Sequence, residues 1–308
     1  MDKLYTVNRA AAQALDASGA QPVMLYAFEG FVDAGFAAGL AIGDLAGRPL
    51  TERLVTFNTD ELLDYRSRRP PMTFAADGWT DYHQPALAID LVRDAAGAPF
   101  LLMYGPEPDI RWEAFAEAVI EVVETFDVRL AVGMHGIPAS APHTRDWKVS
   151  GPEQAGELVA RFGGSAAARI QLPGSAMALV ELKLREVGRD AQTFSVQVPH
   201  YLAQMPSPIG TVKLMRAIGC ATALDFGLAG IEEAAEVQRR QLDQQVAEQP
   251  ELAQAIAKME QAHDERAQRA PGGELLAEAL PTGDEIAAEF ERFLAGQDGE
   301  ADGPAFTG

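Results

Sequence analysis

Residues 23–47 constrain this chain more than any other segment. Val23-Met-Leu-Tyr-Ala-Phe-Glu29 is an apolar run of strand length, followed by Gly30 and then by an Ala- and Gly-rich apolar stretch. A buried strand, a glycine turn and a helix make the opening of an α/β domain. Asp33 has the side chain of an N-cap. The helix after it carries Gly35, Gly39, Gly43 and Gly47 at a four-residue interval, which lays four missing side chains along one face. Each glycine costs a helix roughly 1 kcal/mol relative to Ala. The stripe therefore predicts close packing, either within the subunit or across an interface.

The α/β alternation continues. Arg53–Asn58 reads as a second strand, with Asn58 and Thr59 opening a short helix over 60–65 that Arg68-Arg-Pro-Pro71 breaks. Residues 86–92 and 99–104 read as strands, and Asp94-Ala-Ala-Gly97 between them has the chemistry of an antiparallel hairpin. Asp109 caps a predicted helix through Phe126, whose apolar residues Trp112, Phe115, Val119, Val122 and Val123 recur at helical spacing. A buried strand over 128–134 follows, so this strand–helix–strand unit predicts a right-handed crossover onto a parallel sheet. Further along, 174–186 reads as helix and 193–198 as strand, and Ser207-Pro208 supplies an N-cap and N1 pair. Cys220 falls in an apolar helical stretch and reads as a core thiol.

Strand signals stop near residue 228. Ile231, Ala235, Gln238, Leu242 and Val246 descend one helix face, Pro250 marks a turn, and Leu252, Ile256, Met259 and His263 descend the next. This is a helical hairpin with a narrow apolar seam, suited to a projecting arm or to a cover on the main domain. Thr282-Gly-Asp-Glu285 is a capping box, and Ile286, Phe290 and Phe293 give the helix after it a docking stripe. The expected organisation is an α/β core over 1–228, a helical hairpin and docking helix over 229–295, and a disordered tail over 296–308.

Charge and cysteine content narrow the function classes. The net charge is -20, and residues 230–308 carry 18 acidic and 6 basic residues of the total. Such acidity repels nucleic acid and anionic membrane, and it is compatible with a basic protein surface. No apolar run approaches the roughly 20 residues of a bilayer span. The start of the chain lacks a signal-peptide pattern, and a single cysteine suits a reducing cytoplasm. The expected location is the cytoplasm, without nucleic acid or membrane as partner.

The chemistry-bearing residues cluster at predicted strand ends. His135, His143 and His200 fall there, and Glu29, Gly30, Asp33, Arg145 and Tyr201 are placed to line the same crevice at the carboxyl rim of the sheet. Three histidines and a carboxylate suit zinc binding or acid–base work, but none has a recognised ligand spacing such as H-E-x-x-H. The glycines after the first strand do not spell G-x-G-x-x-G, and Glu29 and Asp33 flank the turn where a phosphate would sit. Gly164-Ser165 and Gly174-Ser175 lack the surroundings of a nucleophile elbow. No catalytic residue, cofactor or metal is assigned.

Three motifs in order carry a resemblance: Gly30-Phe-Val-Asp-Ala-Gly35, Gly136-Ile-Pro138 leading into Pro142-His-Thr-Arg145, and Val198-Pro-His-Tyr-Leu202. With Gly283–Phe293 they resemble the proteasome assembly chaperone 2 family, in particular its bacterial branch, over residues 20–295. The resemblance implies a three-layer α/β/α sandwich with a mostly parallel sheet, like that of the purine nucleoside phosphorylases, plus a C-terminal helical segment. It also implies self-association, often as trimers, and partners among proteasome subunits. Archaeal relatives use a C-terminal hydrophobic-Tyr-any-residue tail, and this chain departs from that pattern with Phe306-Thr-Gly308. The expected function is that of a non-enzymatic, oligomeric protein-interaction factor. The alternative is a small-molecule hydrolase or phosphorylase-like enzyme that uses the histidine rim.

Overall fold

The computed structural model describes residues 3–151 and 173–269. The Gly164-Ser165 pair, the capping box at 282–285, the docking stripe and the tail from 296 lie outside the described residues.

The chain opens with β1 (Tyr5–Val7) and α1 (Arg9–Ser18), the latter capped by the Asn8 side chain on the Ala10 N–H and closed by Gly19. The predicted opening unit follows as β2 (Val23–Glu29) and α2 (Ala37–Ala46), then β3 (Glu52–Phe57). A separate ribbon of β4 (Thr73–Ala75) and β5 (Gly78–Thr80) precedes the hairpin of β6 (Ala88–Arg93) and β7 (Pro99–Pro106). Next come α3 (Trp112–Thr125), β8 (Leu130–Ala139), β9 (Val149–Ser150), α4 (Ala176–Glu186) and β10 (Ala191–Pro199). Three helices end the described chain: α5 (Pro208–Thr222), α6 (Ala229–Glu248) and α7 (Pro250–Arg269).

Among the described residues, eight strands form one sheet in the order β1-β3-β6-β7-β2-β8-β10-β9. Its centre is parallel: β2 lies between β7 and β8, and β8 pairs with β10. Its flanks are antiparallel, with β1, β3 and β6 on one side and β9 on the other. The expectation of a parallel sheet thus holds at the centre, where helices cross over between strands. The short link at 94–97 makes β6 and β7 an antiparallel hairpin, as its turn residues predict.

Alternation along the strands builds two cores. Val23, Leu25 and Ala27 of β2 face α2 and α5, while Met24 and Tyr26 face the side of α1, α3 and α4. Both faces of the central strands are therefore covered, which explains their continuous apolar runs. Ala235 and Leu242 of α6 extend the first core outward over α5.

Several local expectations need correction. The four glycines do not share one helix. Gly35 sits in a preceding turn at φ 69, and Gly47 is the C-cap, leaving Gly39 and Gly43 inside α2. Asp33 caps from further back than expected, because Phe36 at φ 49 takes the N-cap position. Asp109 does not cap α3: Arg111, at φ 59, precedes the helix, and the Asp109 carboxylate instead pairs with Arg68 at 3.1 Å and accepts from the Asp64 N–H. Cys220 is exposed, since Leu214, Met215, Ala217 and Ile218 take the inward positions of α5. The hairpin of α6 and α7 is a cover on the domain, as the polar contacts below establish.

Candidate functional site at the strand ends

The carboxyl ends of β2, β7, β8 and β10 converge on one rim, where open α/β sheets place ligands. The predicted site residues lie around this rim, but their contacts divide them among three places.

The first is centred on Asp33. Its Oδ1 accepts from the N–H groups of Ala38 at 3.1 Å and Gly136 at 2.7 Å, and its Oδ2 from Gly39 at 2.9 Å. One carboxylate thus ties the start of α2 to β8. The approach is close because residue 136 is glycine: a Cβ there would lie 2.0 Å from the Ala34 carbonyl oxygen. Beside it, the His135 ring bridges the Val32 carbonyl at 3.2 Å and Ser195 Oγ at 2.6 Å. A carbonyl only accepts, so Nδ1 carries the proton and Nε2 accepts from the serine. Burial lowers the His135 pKa, against the opposing effects of the Val32 hydrogen bond and Asp33. A serine on a neutral histidine is the start of a nucleophile–base pair. Yet the neighbouring Gly136 N–H is bound by Asp33, so it is not a free donor for an oxyanion.

The second place lies under α7. The Tyr201 hydroxyl accepts from the His143 backbone N–H at 2.6 Å and contacts His143 Nδ1 at 2.7 Å. A hydroxyl has one proton and two acceptor lone pairs, so Tyr201 takes the backbone N–H and pairs with Nδ1 in either tautomer of the ring. Among the described residues the buried Nε2 of His143 has no hydrogen-bond partner, and it lies 4.0 Å from Asp243 of α6. Burial lowers the His143 pKa, while Asp243 and Glu260 act in the opposite direction. Arg145 forms a fork on Asp264, at 2.8 and 2.7 Å, and reaches Glu260 at 2.9 Å. Thr144 also donates to Glu260, at 2.5 Å. The Arg145 hydrogen bonds hold the Asp264 carboxyl down at about 2. Arg145 is thus occupied in strapping α7 to the 142–147 loop. His200 is exposed and stacks edge-on against Tyr201 at 5.4 Å.

The third place is a hollow of about 360 Å³ lined in part by Glu29, Arg68, Arg69 and Tyr104. Gly30, at φ 116, makes room for the Arg68 guanidinium, which would lie 2.8 Å from a Cβ. A second hollow, of about 570 Å³, runs along α4. Neither is lined by a histidine. Among the described residues, no group of three or more His, Cys, Asp and Glu is placed to hold a metal ion. No helix among them is long and apolar enough to cross a membrane.

Sequence reasoning missed Ser195, Glu260 and Asp264, which partner the predicted residues. Ser195 sits directly opposite His135 in the parallel register of β8 and β10. Only strand pairing reveals that neighbour. Glu260 and Asp264, four apart on α7, did present one acidic face in the sequence.

Fold and rim together define a class: an α/β protein with a mixed sheet whose strand-end polar groups are engaged by its own backbone and by a helical strap. The PAC2 family profile matches residues 27–246. The chain belongs to the PAC2 family. No curated protein matches it. Among solved structures, it is similar to the Mycobacterium tuberculosis protein of unknown function Rv2714, with 37% identity over 96% of this chain and 97% of that one and a TM-score of 0.79. A protein of unknown function from Corynebacterium glutamicum shares 32% identity over 87% of this chain and 99% of its own, with a TM-score of 0.79. The Mycobacterium tuberculosis proteasome-assembly chaperone homologue Rv2125 shares 30% identity over 76% of this chain and 99% of its own, with a TM-score of 0.67.

Proposed function

We propose that this protein is a non-enzymatic, cytoplasmic interaction factor of the assembly-chaperone kind. It works as a homo-oligomer, with proteasome subunits or their assembly precursors as partners. The observation that carries the reading is the occupied rim. Asp33 is held by three backbone N–H groups, His135 is held between Val32 and Ser195, and Arg145 is neutralised by Glu260 and Asp264. The groups that would do acid–base work in an enzyme are thereby committed to structure. Family membership and the likeness to a proteasome-assembly chaperone homologue support the partner class. The phosphorylase-like architecture that the resemblance implies would carry no chemistry with it.

The outer face of α2 supports self-association. Gly39 and Gly43 are exposed, and a Cβ at Gly43 would meet nothing within 4 Å. Among the described residues nothing packs on Gly43, so this face of α2 is open to a second backbone. Phe31, Val32 and Phe36, at 42%, 41% and 47% exposure, flank the start of this helix. A second backbone seated on the glycine face would cover them.

The test is reconstitution of the proteasome from purified α and β subunits of the same cell, with and without this protein, followed on native gels. Faster assembly, or a complex between this chain and α subunits, is the expected result. Unchanged assembly with no complex at any stage would overturn the partner assignment.

A further inference from the structure

The excursion between β3 and β6 has no place in the sheet. Among the described residues, β4 and β5 pair only with each other, as a separate two-stranded ribbon. An isolated hairpin is marginally stable in water. This one exposes large side chains: Met72 at 46%, Phe74 at 70%, Trp79 at 66% and Tyr82 at 51%. Phe74 and Trp79 are opposite each other in the ladder, with ring centroids 4.9 Å apart, so both project from one face. Aromatic side chains expose 150–250 Å² each when free, so the patch amounts to roughly 400 Å². The largest apolar patch on a monomer is typically about 300–600 Å² and is often functional.

The charge at its root is opposite to that of the chain. Residues 66–85 contain three arginines and two aspartates, in a chain of net charge -20. Arg68 is paired with Asp109, while the side chains of Arg66 and Arg69 have no ionic partner among the described residues. The ribbon thus presents an aromatic face, and two cations without an ionic partner among the described residues precede it in the chain.

We propose that this ribbon is the docking site of residues 282–293 of the same chain. That segment has the matching chemistry: Ile286, Phe290 and Phe293 at helical spacing, with Asp284, Glu285, Glu289 and Glu291 against a single Arg292. The link from Arg269 to Thr282 extends to about 43 Å at 3.3 Å per residue, comparable with the roughly 47 Å diameter of a domain this size. Seating the apolar stripe on Phe74 and Trp79 brings its carboxylates toward Arg66 and Arg69, and it covers a ribbon that has no other support in the sheet.

Hydroxyl-radical footprinting with mass spectrometry reads Met72, Phe74, Trp79 and Tyr82 individually in the full chain. The wild type is compared with the full-length double variant Phe290→Asp/Phe293→Asp and with Arg66→Glu/Arg69→Glu, circular dichroism confirming that each is folded. The expected result is several-fold slower modification of Phe74 and Trp79 in the wild type than in either variant, unchanged on serial dilution. Raised salt should narrow the difference. Equal modification in wild type and Phe290→Asp/Phe293→Asp would overturn the proposal, whether the ribbon is bare or covered by something else. Protection that vanishes on dilution would overturn it too, and would assign the ribbon to a contact between copies.

Discussion

Replacing Asp33 by alanine separates the two readings of the rim. In the structure this carboxylate accepts three backbone N–H groups, at 3.1, 2.9 and 2.7 Å, from α2 and from β8. Hydrogen bonds to a charged group contribute about 1.5–3 kcal/mol each. The three share one carboxylate and the site is partly solvated, so they do not add fully, and a loss of about 3–5 kcal/mol is expected. At about 2–4 °C per kcal/mol this lowers Tm by about 10 °C. Asp33→Asn keeps one acceptor oxygen but sets an amide donor against the Gly39 N–H, so it should lose stability as well, by a smaller amount. Urea denaturation followed by circular dichroism measures both. A catalytic aspartate behaves in the opposite way, because active-site carboxylates are held at a cost in stability that their removal relieves. A loss below about 1 kcal/mol in Asp33→Ala, or a gain, would refute the structural assignment.

Three further outcomes test other parts of the architecture. Gly43→Leu enters open space on α2, so the fold should be unchanged or up to about 1 kcal/mol more stable, while light scattering should report a smaller assembly; wild-type mass would remove α2 from the interface. Arg145→Ala should release α7, seen as faster amide exchange over 250–269 with the sheet unaffected, whereas unchanged exchange there would show that the strap does not depend on this latch. His135 and His143 both have pKa values lowered from 6.5. Such groups stabilise the fold fully above the unfolded value, and the contribution is lost as pH falls through their lower folded values. Stability should therefore decline below about pH 6.5, by up to about 1.4 kcal/mol per pH unit for each histidine. His143→Asn should flatten that decline, and an identical pH profile would contradict the burial of this ring as a neutral group.

What the sequence determined by itself was local and periodic. The apolar run of β2, the helical stripe of α3, the Asp94–Gly97 link and the Ser207-Pro208 start are legible because neighbours in the chain decide them. The Ser207 side chain indeed accepts from the Gly210 N–H, 3.4 Å away. The family, too, was legible from three short motifs in order. What only the tertiary structure decided was which distant groups meet. A four-residue glycine interval looks like one helix face until the backbone at Gly35 turns to φ 69, where its N–H binds the Ala203 carbonyl and its carbonyl accepts from the Ser207 N–H. Three histidines near strand ends look like one crevice, but only His135 lies within a strand, where register fixes its neighbour. His135 meets Ser195 through the pairing of β8 with β10, and the 142–147 loop meets α7. Arg145 looked like a rim cation because its two carboxylate partners lie more than a hundred residues later in the chain. Local sequence carries propensity and pattern, whereas the satisfaction of a polar group depends on the whole path of the chain.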